Sequence, residues 1–209
     1  MCGIAGFHDS VSGAPEAELR RRATAMADAL RHRGPDDGGA YGDAATGVGL
    51  GFRRLAIIDV SPAGRQPMTS ASGRTVICYN GEVYNAAELR AELGAGAPNW
   101  RGHSDTEVML ETIERRGVEA ATRSFLGMFA FALHEPARRR LWLARDRLGK
   151  KPLYWTLQDG VLLFGSELRA LRAHPAFRAE LDRDAVALYL RHNCVPSPRT
   201  IYRGVRQLP

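Results

Sequence analysis

The sequence predicts a single α/β domain in which antiparallel sheets are covered by helices. Strand-like runs occur in clusters, and helical patterns stand at the beginning, middle and end of the chain instead of alternating strictly with strands. A length of 209 residues is enough for one substantial core, whereas two full domains would be cramped. We find no internal repeat or low-complexity tract in this order.

In the first half, residues 3–8 alternate weakly and predict a strand. From Pro15 to Leu30, apolar residues recur at helical spacing, with arginines on the other face. Gly, Pro and Asp dominate 31–39 and predict an ordered turn or a mobile loop. Strand-like runs then lie at 46–51, 53–59 and 74–79. Asn80-Gly81 predicts a tight turn directly after the third run.

A short helix follows that turn and ends at Leu93. Ser104 can cap the next helix, with Glu107 completing a capping box. The chain then returns to strand-like runs at 128–134, 140–145, 152–157 and 161–165. Asp182 begins a last amphipathic helix that ends near Leu190, and a tail rich in Pro and Arg completes the chain.

Composition narrows the class of protein. A hydrophobic content of 44% and a charged content of 25% are ordinary for a soluble globular protein, and no apolar run is long enough to cross a bilayer. The N-terminus has no basic leader typical of a signal peptide. We therefore expect a cytoplasmic protein that binds no membrane.

Charge and cysteine usage argue against two further classes. The net charge of +6 comes mainly from scattered arginines without a recognition motif, so we expect no nucleic-acid partner. Cys2, Cys78 and Cys194 form no Cys-x-x-Cys pair, which fits a reducing compartment. Cys78 lies in an apolar run and is expected to be buried and inert. The scattered histidines include no His-x-x-x-His pair, so no metal site is expected.

Cys2 directly follows the initiator methionine. An aminopeptidase can remove Met1 because the residue behind it is small, leaving a thiol and a free α-amino group on one residue. An α-amino group titrates at about pH 7.7 to 8.0, so a large fraction can be an unprotonated base near physiological pH. Cys2 could therefore combine nucleophile and general base, as N-terminal threonine enzymes do. The alternative is that cysteine follows methionine by chance.

Several motifs accompany this cysteine. They are Cys2-Gly3-Ile4-Ala5-Gly6, the 31–39 loop, Arg54–Asp59, Asn80–Asn85, Ser104–Glu107, and the pair Gly127–Ala132 with Arg145–Gly149. Together and in this order they resemble the N-terminal glutaminase domain of glutamine-dependent asparagine synthetases, which are class II glutamine amidotransferases and N-terminal nucleophile (Ntn) hydrolases. The resemblance covers essentially the whole chain and implies a four-layer αββα sandwich of two stacked antiparallel sheets flanked by helices.

The resemblance implies hydrolysis of L-glutamine to glutamate and ammonia through a γ-glutamyl thioester on Cys2. Attack on the carboxamide makes an oxyanion that needs preorganised donors. Asn80 could supply its side-chain amide and Gly81 its backbone N–H. Taken alone, the Asn-Gly pair would more often be a plain hairpin turn.

The substrate's α-carboxylate suits Arg54, because a guanidinium can bind it through two parallel hydrogen bonds. Side chains alternate along a strand, so only one of Arg53 and Arg54 can face the pocket, and the motif register favours Arg54. The resemblance implies that the backbone around Ile57 and Ile58 lines the same pocket.

The resemblance also implies that Glu82 and Asp105 bind the substrate's ammonium group. Taken alone, Asp105 would more often be a first-turn residue interacting with the helix dipole. The 31–39 loop corresponds to a lid over the glutamine site, and a static surface loop is its alternative.

The domain prediction places the amidotransferase at 1–190 and a linker at 191–209. No Ser-Gly-Gly-x-Asp-Ser pyrophosphate loop occurs, so we expect no cofactor in this chain. ATP and Mg would belong to a synthetase domain or partner protein, where ammonia would meet an ATP-activated carboxylate, that of aspartate. The alternatives are a free-standing or natural-product amidotransferase subunit with another acceptor, and a non-catalytic glutamine-binding module. A homodimer is also left open.

Overall fold

The structure is a computed structural model that describes residues 1–94 and 99–209. Its strands, in chain order, are β1 (Gly3–Asp9), β2 (Asp37–Asp43), β3 (Val48–Arg54), β4 (Met68–Thr69), β5 (Val76–Val83), β6 (Gly127–Glu135), β7 (Arg140–Arg145), β8 (Tyr154–Gln158), β9 (Val161–Gly165) and β10 (Arg206–Gln207). Its helices are α1 (Glu16–Asp28), α2 (Ala86–Leu93), α3 (Asp105–Arg116), α4 (Val118–Ser124), α5 (Leu168–Arg172) and α6 (Arg183–His192).

Two antiparallel sheets stack face to face. One has the strand order β10-β8-β9-β1-β3-β2 and the other the order β4-β5-β6-β7. Apolar side chains from both sheets meet between them, among them Phe52 and Phe164 from the first and Val76 from the second. Helices α1 and α5 pack on the outer face of the first sheet, and α2, α3 and α4 on that of the second. The predicted αββα sandwich is confirmed.

Alternation along the strands sets which side chains enter the inter-sheet core. On β1, Ile4 faces the second sheet, whereas Ala5 and Phe7 face the helices. Because β1 lies between β3 and β9 and is covered on both faces, its residues are apolar on both sides. This burial explains the weak alternation of its sequence.

Two of the predicted strand boundaries are wrong. The runs at 46–51 and 53–59 form a single strand, β3, followed by an irregular segment after Arg54. The glycine-rich half of the 31–39 loop opens edge strand β2, which pairs with β3 from Asp37 opposite Arg54 onward. The ladder to β3 supplies the backbone hydrogen bonds there, so the glycines do not break the strand.

The predicted turn at Asn80-Gly81 is also wrong. Strand β5 continues to Val83, with Asn80 opposite Ala130 and Gly81 opposite Phe129 of β6. A Cβ built on Gly81 would lie 2.2 Å from the carbonyl oxygen of Met128. Glycine is therefore needed at this position because the two strands approach closely, and the chain does not reverse direction here.

The helix predictions are largely confirmed. Ser104 caps α3 by accepting a hydrogen bond from Thr106 N at 3.0 Å. The capping box is wrong, because the Glu107 carboxylate accepts from the backbone N–H groups of Arg101 at 3.0 Å and Gly102 at 3.2 Å. Asp182 caps α6 as expected. Helices α4 and α5, with seven and five residues, were not predicted.

The tail returns to the first sheet. Strand β10 pairs with β8, and Leu208 N donates to Leu153 O at 2.8 Å. Arg145 Nη1 donates to Leu208 O at 2.6 Å. These contacts attach the end of the predicted linker to the sandwich, and the domain boundary at residue 190 stays a prediction.

Cys78 is completely buried between the sheets, and burial raises the pKa of its thiol, as expected for an inert cysteine. None of the described helices is both long enough and apolar enough to span a membrane. Within residues 1–94 and 99–209, no three potential metal-ligating side chains come together.

Candidate active site

A cavity of about 230 Å³ brings the predicted site residues together. Its walls include Cys2, Arg54, Ile57, Ile58, Asn80, Gly81, Glu82 and Asp105. These residues come from four separate stretches of the sequence, so only the packing of β1, β3, β5 and α3 makes them neighbours.

Strand register explains why Cys2 and Arg54 meet at this cavity. Gly3 lies opposite Arg53 in the β1–β3 ladder, so Cys2 and Arg54 follow at the same end of the two strands. By alternation, Cys2 shares a face with Ile4, and Arg54 shares a face with Phe52. Ile4 and Phe52 both belong to the inter-sheet core, so the side chains of Cys2 and Arg54 also point between the sheets.

The structure places Arg54 at the cavity and Arg53 on the opposite face. Arg53 Nε donates to Gly34 O at 3.0 Å, beside α1. Arg54 Nη1 donates to Ser61 O at 2.9 Å, and its Nη2 donates to Asp59 O. A guanidinium carries five N–H donors, so donors remain for a carboxylate after these two contacts.

The backbone and thiol of Cys2 are both held in place. Its Sγ lies 3.4 Å from Leu55 N and 3.5 Å from Leu55 O. Arg33 Nε donates to Cys2 O at 3.0 Å, and Arg33 Nη1 donates to Glu167 Oε1 at 3.0 Å. Met1 is attached in the structure, so the Cys2 nitrogen is a peptide amide.

Asn80 presents an unused donor at this site. Its side chain is 1% exposed, and its Nδ2 atom is buried without a hydrogen-bond partner among the described residues. Leaving a buried donor unsatisfied costs about 1–3 kcal/mol. By strand alternation Asn80 lies on the same face as Cys78, between the sheets, which is also the face of Cys2.

The backbone N–H of Gly81 turns toward the same site. On β5, Tyr79 N donates to Gln66 Oε1 at 2.6 Å and Val83 N donates to Asp105 Oδ2 at 3.0 Å. Both groups therefore point away from β6. Gly81 lies between them with the same parity, so its N–H points to this edge of β5, where Gly81 lines the cavity.

Asp105 is a buried carboxylate at the start of α3. Its Oδ2 accepts from Tyr79 Oη at 2.7 Å as well as from Val83 N. Burial raises its pKa, although these hydrogen bonds oppose the shift, and the nearby Glu82 raises it further. Burial and the adjacent Asp105 also raise the pKa of Tyr79. Glu82 is exposed at the rim, so the two acids form a cation-attracting wall.

The mouth of the cavity is formed by the segment after β3. Ile57 is 72% exposed and Ile58 is 51% exposed, although both line the cavity. Asp59 fixes this segment by accepting from His103 N at 2.9 Å and Ser61 N at 2.9 Å. No residue of the predicted 31–39 lid lines the described cavity, and its movement stays a prediction.

Sequence reasoning missed several cavity residues, among them Gln66, Tyr79 and Lys151. Gln66 and Tyr79 matter through contacts with partners far along the chain, which no local pattern reports. Lys151 lies just after the Arg145–Gly149 motif, which supports the family resemblance without suggesting a role for the lysine.

Comparison with known proteins gives consistent results. The family model for a glutamine amidotransferase domain matches residues 1–209. Asparagine synthetase (glutamine-hydrolysing) 3 of Bacillus subtilis is 38% identical over 212 residues, which cover 100% of this chain and 33% of that protein. Asparagine synthetase B (glutamine-hydrolysing) of Escherichia coli is 40% identical over 172 residues, covering 82% of this chain and 30% of that protein. The chain thus spans about a third of these relatives.

The fold also matches solved structures. Glutamine phosphoribosylpyrophosphate amidotransferase from Bacillus subtilis, complexed with ADP and GMP, superposes with a TM-score of 0.66 at 20% identity, covering 82% of this chain and 43% of that chain. An allosteric regulatory enzyme of purine biosynthesis gives a TM-score of 0.64, with the same identity and coverage. At this identity the likeness concerns the fold alone. Since the family model matches the whole sequence, the chain belongs to the glutamine amidotransferase domain family.

Proposed function

We propose that this chain, once Met1 has been removed, hydrolyses L-glutamine to glutamate and ammonia through a γ-glutamyl thioester on Cys2. The observation that carries the proposal is the buried, unpartnered Nδ2 of Asn80 in the cavity that Cys2 lines. A donor without a partner in the protein is suited to an oxyanion that exists only during reaction.

In the first half-reaction, the free α-amine of Cys2 takes the proton from Sγ, and the sulfur attacks the carboxamide carbon of glutamine. The carbonyl oxygen becomes an oxyanion that accepts hydrogen bonds from Asn80 Nδ2 and Gly81 N–H. When the tetrahedral intermediate collapses, the C–N bond breaks and the protonated amine gives its proton to the leaving group. Ammonia leaves and a thioester remains.

In the second half-reaction, the same amine takes a proton from water as the water attacks the thioester carbon. The same two donors stabilise the second oxyanion. The C–S bond then breaks, the proton returns to sulfur, and glutamate is released. One residue thus supplies nucleophile and base in both steps.

The two ends of free glutamine match the rest of the cavity. The donors of Arg54 that are not bound to Asp59 and Ser61 can take the α-carboxylate. Buried Asp105 and rim-exposed Glu82 can take the α-ammonium group. The backbone at Ile57 and Ile58 would close the pocket over the substrate.

We further propose that the ammonia passes to an ATP-activated aspartate carboxylate on a synthetase domain or partner protein. The support is the naming of the full-length relatives as glutamine-hydrolysing asparagine synthetases. ATP and Mg would be bound by that other part. We also propose that the protein is cytoplasmic and that it assembles as a homodimer.

The test is glutamate release from L-glutamine by protein whose loss of Met1 has been verified by intact mass. Wild-type protein and Cys194→Ala should be active, because Cys194 is exposed and lies outside the cavity. Cys2→Ala should fold and bind glutamine without turning it over. Glutamate release by Cys2→Ala at the wild-type rate would refute the mechanism, and inactivity of wild-type protein with its partner present would refute the function.

A further inference from the structure

Lys151 is a buried cation that the proposed mechanism does not use. The residue is 5% exposed and lines the cavity together with Cys2. Lysine is almost never buried to this extent without a partner, because removing an ammonium from water is costly. Its placement therefore calls for a role in the cavity.

The backbone of Lys151 is fixed on both sides. Its N–H donates to Asp146 Oδ2 at 2.9 Å, and its carbonyl oxygen accepts from Arg145 Nε at 2.7 Å. Asp146 in turn accepts from three more backbone N–H groups, those of Phe129, Leu148 and Lys150. The side chain thus extends into the cavity from a rigid base.

The only polar contact of the Lys151 ammonium within the described part of the chain is the Sδ atom of Met1, at 3.4 Å. A thioether is a weak acceptor and provides no countercharge. Met1 is the residue that must leave before Cys2 can have a free amine. The Sδ atom belongs to the residue joined directly to the Cys2 nitrogen, and Lys151 and Cys2 line the same cavity, so removal of Met1 leaves the ammonium and the new amine facing one enclosed space.

We propose that Lys151 keeps the released α-amine of Cys2 unprotonated by placing a positive charge beside it. A nearby like charge disfavours the protonated form of an amine, so the base is available at a lower pH. Lys151 acts here through Cys2 as an electrostatic positioning residue.

The other charged and titratable side chains facing the cavity are Arg54, Asp59, Tyr79, Glu82 and Asp105. Glu82 and Asp105 would act on the amine in the opposite sense, but bound substrate ammonium would neutralise their effect. Arg54 would be neutralised by the substrate carboxylate. Arg33 also reaches Cys2, with Nε 3.0 Å from Cys2 O, but its guanidinium is paired with Glu167 at 3.0 Å. With glutamine bound, Lys151 is thus the cation of the cavity that has no counterion among the described residues. The inference rests on the proposed function.

The experiment compares the pH dependence of kcat, which reports the glutamine-bound enzyme, in wild-type, Lys151→Met, Lys151→Arg and Lys150→Met proteins, all lacking Met1. In Lys151→Met, the acidic limb should move up by about one pH unit, with about tenfold lower activity on the limb and recovery at high pH. Lys151→Arg should keep the wild-type limb because it keeps the charge. The matched control Lys150→Met should also keep it, because Lys150 is exposed and does not line the cavity.

An unmoved limb in an active Lys151→Met protein would overturn the inference, as would a rise in KM alone, which would indicate that Lys151 binds the substrate carboxylate. A second measurement does not need turnover. A neutral acylating reagent modifies only the unprotonated N-terminal amine, and the mass of the N-terminal peptide measures the rate in Met1-free Cys2→Ala protein. As pH is lowered, this rate declines. When Lys151→Met is added, the decline should begin at a higher pH. Equal profiles with and without Lys151 would refute the inference whatever the fate of the glutaminase proposal.

Discussion

Asn80 and Asp105 are both buried polar residues, and they are prepared for a ligand in different ways. Asn80 has a donor with no partner among the described residues, so its hydrogen bond is available to an incoming atom. Asp105 accepts hydrogen bonds from two donors, yet burial still raises its pKa. In both cases burial of the polar group costs the folded protein free energy, and a bound group would relieve this cost.

Replacement of Asn80 by alanine should separate catalysis from stability. We expect Asn80→Ala to lower kcat by about 10²–10³-fold, as loss of an oxyanion donor does. The free energy of unfolding should change little, because the deletion also removes an unsatisfied buried donor. Steady-state kinetics and urea denaturation measure the two effects. A large loss of stability with kcat preserved would assign Asn80 to the core instead of the oxyanion hole.

Replacement of Asp105 by asparagine should weaken substrate binding without weakening the fold. An asparagine oxygen can still accept from Tyr79 Oη and Val83 N, whereas the charge that would face the ammonium is lost. We therefore expect KM for glutamine to rise at least about tenfold, since a hydrogen bond to a charged group is worth about 1.5–3 kcal/mol. An unchanged KM would exclude Asp105 from the ammonium site.

The same variant tests the pKa of Asp105 through stability. A carboxyl whose pKa is higher in the folded than in the unfolded state binds a proton more tightly when folded. Its contribution to stability is thus present below the unfolded value, near pH 3.9, and is lost as pH rises through the folded pKa. Carboxyls with a lowered pKa, such as Asp43 and Asp146, act in the opposite sense but equally in both proteins. The stability of wild-type protein relative to Asp105→Asn, measured by urea denaturation, should therefore fall as pH rises through the folded pKa. Identical pH profiles would contradict the shift.

At the scale of elements, the sequence predicts amphipathic helices well and the pairing of strands poorly. The helical spacing of Leu19, Ala23 and Met26 is sufficient to predict α1, because one helix face must cover the sheet. The Asn80-Gly81 prediction fails because turn propensity is local, whereas the ladder between β5 and β6 is set by residues about 50 positions apart.

The prediction of site residues also succeeds where a local pattern marks the residue and fails where tertiary contacts place it. Cys2 and Arg54 were predicted because a motif and strand alternation indicate where they point. Gln66 and Lys151 were not, because their places depend on contacts that only the packed fold creates. Nothing in the local sequence of Lys151 distinguishes it from the exposed Lys150.

The close approach of β5 and β6 predicts that a side chain at the position of Gly81 would destabilise the protein. A methyl group there would meet the Met128 carbonyl and the Phe129 backbone, and neither can withdraw without disturbing the ladder. We expect Gly81→Ala to lower the free energy of unfolding by about 1–3 kcal/mol, as overpacking does. Urea denaturation against Asn80→Ala, the neighbour in the same strand, gives the control. Equal stability of the two variants would mean that the strands tolerate a side chain there.

At the scale of the whole molecule, a buried polar contact joins the two sheets beside the apolar core. His134 of β6 is fully buried, and its Nε2 lies 2.9 Å from Asp43 Oδ2 at the end of β2. Its Nδ1 lies 3.1 Å from Arg140 O. The Thr46 hydroxyl also lies 3.1 Å from Nε2, so both ring nitrogens have hydrogen-bond partners in the buried contact.

Replacing only His134 of this inter-sheet pair should lower the free energy of unfolding more than replacing both members. His134→Leu removes the imidazole partner of Asp43, which keeps only the hydrogen bonds from Thr46 Oγ1 and Ala45 N, and we expect the free energy of unfolding to fall by about 1–3 kcal/mol. The double variant His134→Leu/Asp43→Asn should regain part of that loss, because no carboxylate charge then remains beside the leucine. Urea denaturation of the four proteins in this cycle measures the coupling. Strictly additive losses would show that the two side chains do not interact.

The most direct measurement of the proposed chemistry is the intact mass of Met1-free protein mixed with glutamine and quenched with acid within milliseconds. We expect a γ-glutamyl adduct on wild-type protein, mapped to Cys2, and none on Cys2→Ala. An adduct on another residue, or wild-type glutamate release without any adduct at Cys2, would contradict nucleophilic catalysis by the N-terminal cysteine.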